Sequence, residues 1–184
     1  MEREIGSAKL RLGDKAPYFS LPATDGKIYS LSDFAGANAL VVIFTSNHCP
    51  VAQAYEQRIV ELVNRYKSQH VRFVAICAND AVAYPEDNFE HMVEKSKKMN
   101  FALPYLQDER QNVALAYDAV CTPEVYLFDK DQKLTYHGGI DDSHKSAEQV
   151  KNAYLANALQ ALLAGGEATP SLTPAIGCTI KWKK

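Results

Sequence analysis

The chain has 184 residues, 47% of them hydrophobic, with 20 basic against 22 acidic side chains and a formal net charge of −2. That length suits one globular domain around one core, and a balanced charge with no long Lys/Arg run excludes the electrostatic footprint of a nucleic-acid or anionic-membrane binder. The start Met1-Glu2-Arg3-Glu4 lacks the apolar stretch of a leader, and the longest apolar run, residues 39–44, falls far short of a membrane span, so a soluble, cytoplasmic protein is expected.

In chain order, turn signals at Gly13-Asp14, Pro22, Thr24-Asp25-Gly26 and Gly36 surround short apolar pieces and predict an N-terminal hairpin within residues 13–38. Leu40-Val41-Val42-Ile43-Phe44 reads as a strand buried on both faces. Apolar steps at Val51, Tyr55, Ile59, Leu62, Val63 and Tyr66 mark a helix directly after it. Val71–Cys77 predicts a second buried strand, and Phe89, Met92 and Val93 a helix that opens after Pro85 and frays near Asn100. A short strand at Leu103–Leu106 and a short helix at Asn112–Tyr117 follow. Glu124–Phe128 and Leu134–Tyr136, joined by Asp129-Lys130-Asp131-Gln132, predict an antiparallel pair. Ser146-Ala-Glu-Gln has the form of a capping box, which predicts a last helix from Ser146 through Leu162 to Gly165-Gly166. The segment 165–184 carries Pro170 and Pro174 but also the apolar Ala175–Trp182, so it is expected to dock onto the domain. The order predicts one α/β domain over 1–184, with a central mixed sheet of four or five strands and helices on both faces.

Four cysteines, Cys49, Cys77, Cys121 and Cys178, are scattered singly, without the close pairs of a zinc site or the density of a disulfide scaffold. Cys49 stands where a buried strand ends and a helix begins. Unpaired backbone N–H groups and the positive end of the helix dipole then face its sulfur, and both favour thiolate. His48 beside it is a candidate proton carrier, and Pro50 suits the first helical turn because its missing N–H is not needed there.

These residues resemble the thioredoxin-fold superfamily, and within it the peroxiredoxin-like alkyl hydroperoxide reductase/thiol-specific antioxidant group, over about residues 12–164. Ser46-Asn47-His48-Cys49-Pro50 is similar to the peroxiredoxin Thr/Ser-x-x-Cys-Pro segment, which implies Cys49 as the attacking cysteine and Ser46 as its hydroxyl partner. Cys121-Thr122-Pro123-Glu124-Val125, running into Tyr126–Asp129, resembles the thioredoxin loop whose proline is cis and lies against the active-site sulfur. The resemblance therefore implies Pro123 at the site and a Thr122 backbone free to pair with an extended peptide or thiol substrate. Gly138-Gly139 after the next strand, the Asn-His-Cys-Pro run and the Gly177–Trp182 tail are further shared features. The implied fold is thioredoxin-like, with an N-terminal hairpin extension, and the implied activity is thiol oxidoreduction on a peroxide or disulfide, with no cofactor.

The chain departs from the pattern in three ways, the first being Val42 where a peroxiredoxin has a proline seven residues before its cysteine. Cys49-Pro50-Val51-Ala52 has one thiol, so no disulfide forms within the motif, and Pro123 stands near the position of the peroxiredoxin arginine. A second thiol must therefore resolve the Cys49 intermediate. Cys121, two residues before Pro123, and Cys178, in the docking tail, are the internal candidates, Cys77 reads as a core thiol, and an external thioredoxin- or glutathione-type reductant is the remaining choice. Two readings from other classes stay open. One is a redox fold that has lost turnover and acts as a binding or chaperone module. The other is a metal site from His48, Cys49, Cys121 and His137 or His144. The acidic stretch Pro85-Glu86-Asp87 and the Lys95–Lys98 cluster read as solvated helix faces.

Overall fold

The structure, a computed structural model, describes residues 10–184; the Met1-Glu2-Arg3-Glu4 start, read above for its lack of a leader, lies outside them. Strands β1 (Ser20–Pro22) and β2 (Ile28–Ser30) form the N-terminal hairpin, turned at Gly26, whose φ is +84°. All six residues of β3 (Ala39–Phe44) are buried, as a strand covered on both faces requires. Helix α1 (Pro50–Tyr66) follows it and buries Ala52, Tyr55, Ile59, Leu62, Val63 and Tyr66 along one stripe. The chain continues through β4 (Val71–Cys77), α2 (Phe89–Lys98), β5 (Tyr105–Gln107), α3 (Asn112–Tyr117), β6 (Cys121–Thr122), β7 (Glu124–Asp129), β8 (Leu134–Gly138), α4 (Tyr154–Leu163) and β9 (Cys178–Thr179).

The central sheet has five strands in the order β5-β4-β3-β7-β8. β3 pairs parallel with β4, and β4 with β5, while β7 runs antiparallel to both β3 and β8. Because side chains alternate along a strand, Val41, Ile43, Val125 and Leu127 face one core, packed by α1 and α4. Leu40, Val42, Phe44, Tyr126 and Phe128 face the other, packed by α3 and the N-terminal segment through Tyr117, Phe19 and Phe34. This is the thioredoxin-like arrangement that the resemblance implies. It sets the end of β3, the end of β4 and the start of β7 side by side, and the chain's chemistry gathers at that edge.

The last helix differs from expectation. Ala147–Gln149 is only a 3₁₀ turn without a side-chain cap, and α4 starts at Tyr154. The Ser146 hydroxyl bonds the Glu148 carboxylate instead of a backbone N–H. Asp142 accepts from the N–H groups of Lys151 and Asn152, at 2.9 and 3.0 Å, which claims the backbone a continuous helix would use.

The tail after α4 docks, as its apolar content predicts. His137 N–H donates to Ser171 O and Thr173 N–H to His137 O, so residues 171–173 extend the free edge of β8. Further on, β9 pairs antiparallel with β6, Cys121 opposite Thr179 and Thr122 opposite Cys178. Ile180 enters the core, Trp182 packs against it, and Asn79 Oδ1 accepts the Lys181 N–H at 2.8 Å. Three glycines let the strap lie this close. A Cβ on Gly138 would meet Thr173 Oγ1 at 2.2 Å, one on Gly139 would meet Pro174 O at 2.9 Å, and one on Gly177 would meet Thr122 O at 2.0 Å.

Candidate active site

Cys49 is the N-cap of α1. Its backbone is extended, Pro50 occupies the first helical position, and its sulfur accepts the Ala52 N–H at 3.4 Å, the role a Ser or Asn oxygen usually fills. The sulfur is therefore aimed at the N-terminus of a 17-residue helix. Ser46 reaches this cysteine through the backbone, its hydroxyl accepting the Cys49 N–H at 3.2 Å. The hydroxyl partner that the resemblance implies for Cys49 thus meets its backbone N–H and orients the cysteine.

The turn before Cys49 is fixed by a carboxylate that sequence reading placed in solvent. Asp87 is fully buried. It accepts from Asn47 N–H at 2.5 Å, His48 N–H at 3.3 Å and Asn79 Nδ2 at 2.8 Å, and it pairs with His48 Nδ1. A buried carboxylate is tolerated only when so bonded. His48 is thus drawn to Asp87, and its ring stacks on Tyr84 with centroids 5.1 Å apart. Asn47 has its side chain taken by Glu86 O and the Tyr105 hydroxyl, while its carbonyl accepts from Gln53 and Lys95. Lys95, also read as a solvated face, pairs with Glu56 at 2.5 Å and helps hold this turn. Pro85 and Glu86 are exposed, as expected. No local pattern marks Asp87 as different from Glu86, because its burial depends on the docking of Asn79 and residues 47–48 from distant parts of the chain.

Two sulfurs meet at the cap. Cys178, set opposite Thr122 in the β6–β9 ladder, lies beside Cys49, close enough that the two thiols shift each other's ionisation. Burial works against ionisation of Cys49, but the Cys178 thiol, the Ala52 N–H, the Thr122 hydroxyl and the Cys178 N–H outweigh it and hold the Cys49 thiol below its ordinary range. Cys49 donates to Thr122 O at 3.2 Å, and the buried Thr122 hydroxyl beside it has no hydrogen-bond partner among the described residues. Cys178 moves the other way. Its burial and the hydrogen bond and charge it shares with Cys49 push its thiol up, against the pull of Lys181 and the Val51 N–H. Of the pair, Cys49 ionises and Cys178 keeps the proton.

Pro123 follows a cis Thr122–Pro123 bond beside this pair. Thr122 is on site as expected, but its backbone is not free: the chain's own Cys178 sits opposite it in the β6–β9 ladder. Cys121, one residue earlier, points to the other face of that ladder. Its sulfur lies 3.8 Å from Ala175 O, and burial together with the Glu124 carboxylate pushes its thiol up to about 12. Cys77 is a core thiol, fully buried and also pushed up to about 12 by burial and the nearby Asp87. The metal reading finds no support, since among the described residues no three His, Cys, Asp or Glu side chains are placed to hold an ion. His137 is engaged by Glu124 at 2.7 Å. Besides Asp87 and Asn79, sequence reading missed what Gly177 of the shared tail does: its lack of a side chain lets the tail reach Thr122.

The sequence profile of the AhpC/TSA family matches residues 12–137, more than half of the chain. An uncharacterised conserved protein of Geobacillus kaustophilus is similar at 42% identity, covering 96% of this chain and 95% of its own, with a TM-score of 0.90. A hypothetical protein of Sinorhizobium meliloti 1021 is similar at 37% identity, covering 96% and 97%, also with a TM-score of 0.90. The thiol-disulfide oxidoreductase ResA of Bacillus thuringiensis is 26% identical over 126 residues, 68% of each chain.

Proposed function

The chain belongs to the AhpC/TSA family, and from that premise we propose that it is a two-cysteine thiol oxidoreductase in which Cys49 attacks a peroxide or disulfide and Cys178 resolves the intermediate. What supports this reading is the β6–β9 register, which sets Cys178 opposite Thr122, the residue whose carbonyl accepts the Cys49 thiol at 3.2 Å.

On a hydroperoxide, Cys49 thiolate forms an S–O bond as the O–O bond breaks, giving the sulfenic acid and an alcohol or water once the leaving oxygen takes a proton. Cys178, deprotonated, then attacks the Cys49 sulfur. The S–S bond forms, the S–O bond breaks, and the hydroxide leaves as water. On a disulfide, Cys49 forms a mixed disulfide and expels one thiolate, and Cys178 displaces the other. In either case two electrons from the Cys49–Cys178 pair reduce the substrate, and an external dithiol or glutathione-type thiol returns them. Cys121 is a weaker resolver because its sulfur sits on the far face of the ladder and holds its proton.

The test is the disulfide formed after one equivalent of hydrogen peroxide, mapped by mass. A Cys49–Cys178 link is expected. A Cys49–Cys121 link, or only intermolecular links, refutes Cys178 as resolver, and no oxidation of Cys49 by peroxide or by a small disulfide refutes the enzyme.

A further inference from the structure

The two-residue strand β6 (Cys121–Thr122) is a short ladder edge, and the only strand it pairs with among the described residues is β9. A chain laid antiparallel on that edge puts the side chain opposite Thr122 against the Cys49 sulfur. An extended polypeptide bearing a disulfide would use this slot in the manner of strand addition, main chain to main chain, with its sulfur facing the nucleophile. The slot already holds such a strand, and the residue opposite Thr122 is a cysteine.

The occupancy is built into both sides. Gly177 lies so near that a Cβ there would stand 2.0 Å from Thr122 O and 2.5 Å from Thr122 C, backbone atoms that cannot swing away. Beyond the slot, Ile180 N–H donates to Val120 O at 3.0 Å and Asp80 N–H to Lys181 O at 2.8 Å. The Gln111 side chain donates to Lys181 O at 2.8 Å and accepts the Lys183 N–H at 2.8 Å. Before it, the strap is tied to β8 through Thr173, whose hydroxyl meets the Tyr136 hydroxyl at 2.6 Å. Cys49 itself has no exposed surface.

We propose that Gly177–Thr179 is an internal stand-in for a polypeptide substrate, which restricts Cys49 to small oxidants, a hydroperoxide or a low-molecular-weight disulfide, and excludes polypeptide disulfides while the tail is docked. This rests on Cys49 being the nucleophile. Selectivity then belongs to the tail and not to the sulfur: a small oxidant needs only local opening to touch Cys49, whereas an extended chain needs the β6 edge that β9 holds.

The experiment is carried out on the full chain bearing Cys178→Ser, so that only the first step at Cys49 is read. Hydrogen peroxide is one probe, followed by loss of the Cys49 thiol. The other is an extended decapeptide whose single cysteine is joined to an aromatic thiol, followed by release of the aromatic thiolate as Cys49 takes the peptide sulfur. Two releasing variants are added separately to that background: Gly177→Val, which drives a side chain into Thr122, and Lys181→Pro, which removes the N–H held by Asn79. Either should raise the ratio of the peptide rate to the peroxide rate, both read on the same variant, by about tenfold, the weight of one or two net hydrogen bonds. An unchanged ratio beside a peroxide-reactive Cys49 overturns the gate and leaves the proposed function standing, and so does a parallel rise with both probes, which would make the tail a general cover. No reaction with either probe in any variant overturns the proposed function and the gate with it.

Discussion

Replacing Cys178 by Ala removes the neighbouring S–H that favours the Cys49 thiolate and should shift Cys49 ionisation to higher pH. A hydrogen bond to a charged group is worth about 1.5–3 kcal/mol, and a thiol is a weak donor, so the lower end applies. About 1.4 kcal/mol is a factor of about ten in thiolate fraction below the midpoint. The Ala52 and Cys178 backbone N–H groups and the Thr122 hydroxyl remain, so the thiol stays more acidic than free cysteine. The assay is the pH profile of Cys49 alkylation by iodoacetamide, with the modified residue mapped by mass; Cys77 and Cys121, both pushed up to about 12, stay protonated and do not interfere. At pH 6 the alanine variant should react about tenfold more slowly than the native chain, while Cys178→Ser, which keeps a hydroxyl donor, should stay within about threefold. The midpoint is read rather than the plateau, because a smaller side chain at 178 also admits reagent. A midpoint that falls in the alanine variant would show that relief of burial, the largest influence on this thiol, outweighs the lost hydrogen bond, and would refute the donor role.

Asp87→Asn turns an acceptor into an amide whose NH₂ faces the Asn79 donor, so we expect a loss of about 2–3 kcal/mol in urea unfolding and slower Cys49 alkylation as the 47–48 turn loosens; unchanged stability would show that Asp87 is not the anchor. Ser46→Ala should cost about 1 kcal/mol, the weight of one lost hydrogen bond, and leave the Cys49 alkylation midpoint in place; a midpoint that rises would show that the hydroxyl also acts on the sulfur. The fully buried Cys77 favours its neutral form in the fold, where its pKa is raised to about 12 against 9.0 for a free thiol, so above pH 9 the unfolded chain binds fewer protons and stability falls. The slope contributed by this thiol is about 1.4 kcal/mol per pH unit between those values. Urea midpoints at pH 8 and pH 10 should separate by less in Cys77→Ala than in the native chain, and equal separation would count against burial as the cause.

What could be read from the sequence was local. The β3 run and the α1 stripe need only their own residues, and the cap position of Cys49 follows from the junction between them. Asn112–Tyr117 likewise forms the helix its pattern predicts. What could not be read depends on contacts across the chain. Ser146 has the spacing of a capping box, but Asp142 takes the backbone further on and the helix starts late. Asp87 looks like any acidic residue in a turn until Asn79 and residues 47–48 close over it. Both Cys121 and Cys178 read as candidate resolvers in sequence, with Cys121, two residues before Pro123, the first choice. One residue of register in the β6–β9 ladder separates them, turning one sulfur toward Cys49 and the other toward Ala175, and register between distant segments leaves no local trace.

The same asymmetry sets the direction of the proposed cycle. Once Cys49 and Cys178 are joined, an incoming thiolate can attack either sulfur, and two properties select the same one. Cys49 lies fully buried behind the tail, whereas Cys178 is part-exposed at its surface, so access favours attack on Cys178. Attack there expels Cys49, whose thiolate is stabilised by the helix N-terminus and the Thr122 hydroxyl, and the thiol of lower pKa leaves faster. Attack on Cys49 would expel Cys178, whose thiol is pushed up and leaves more slowly. The features that make Cys49 the better nucleophile in the reduced protein therefore make it the better leaving group in the oxidised one. In the proposed cycle the reductant is therefore received at Cys178, on β9, so the segment that covers Cys49 during oxidation is also the one presented for reduction.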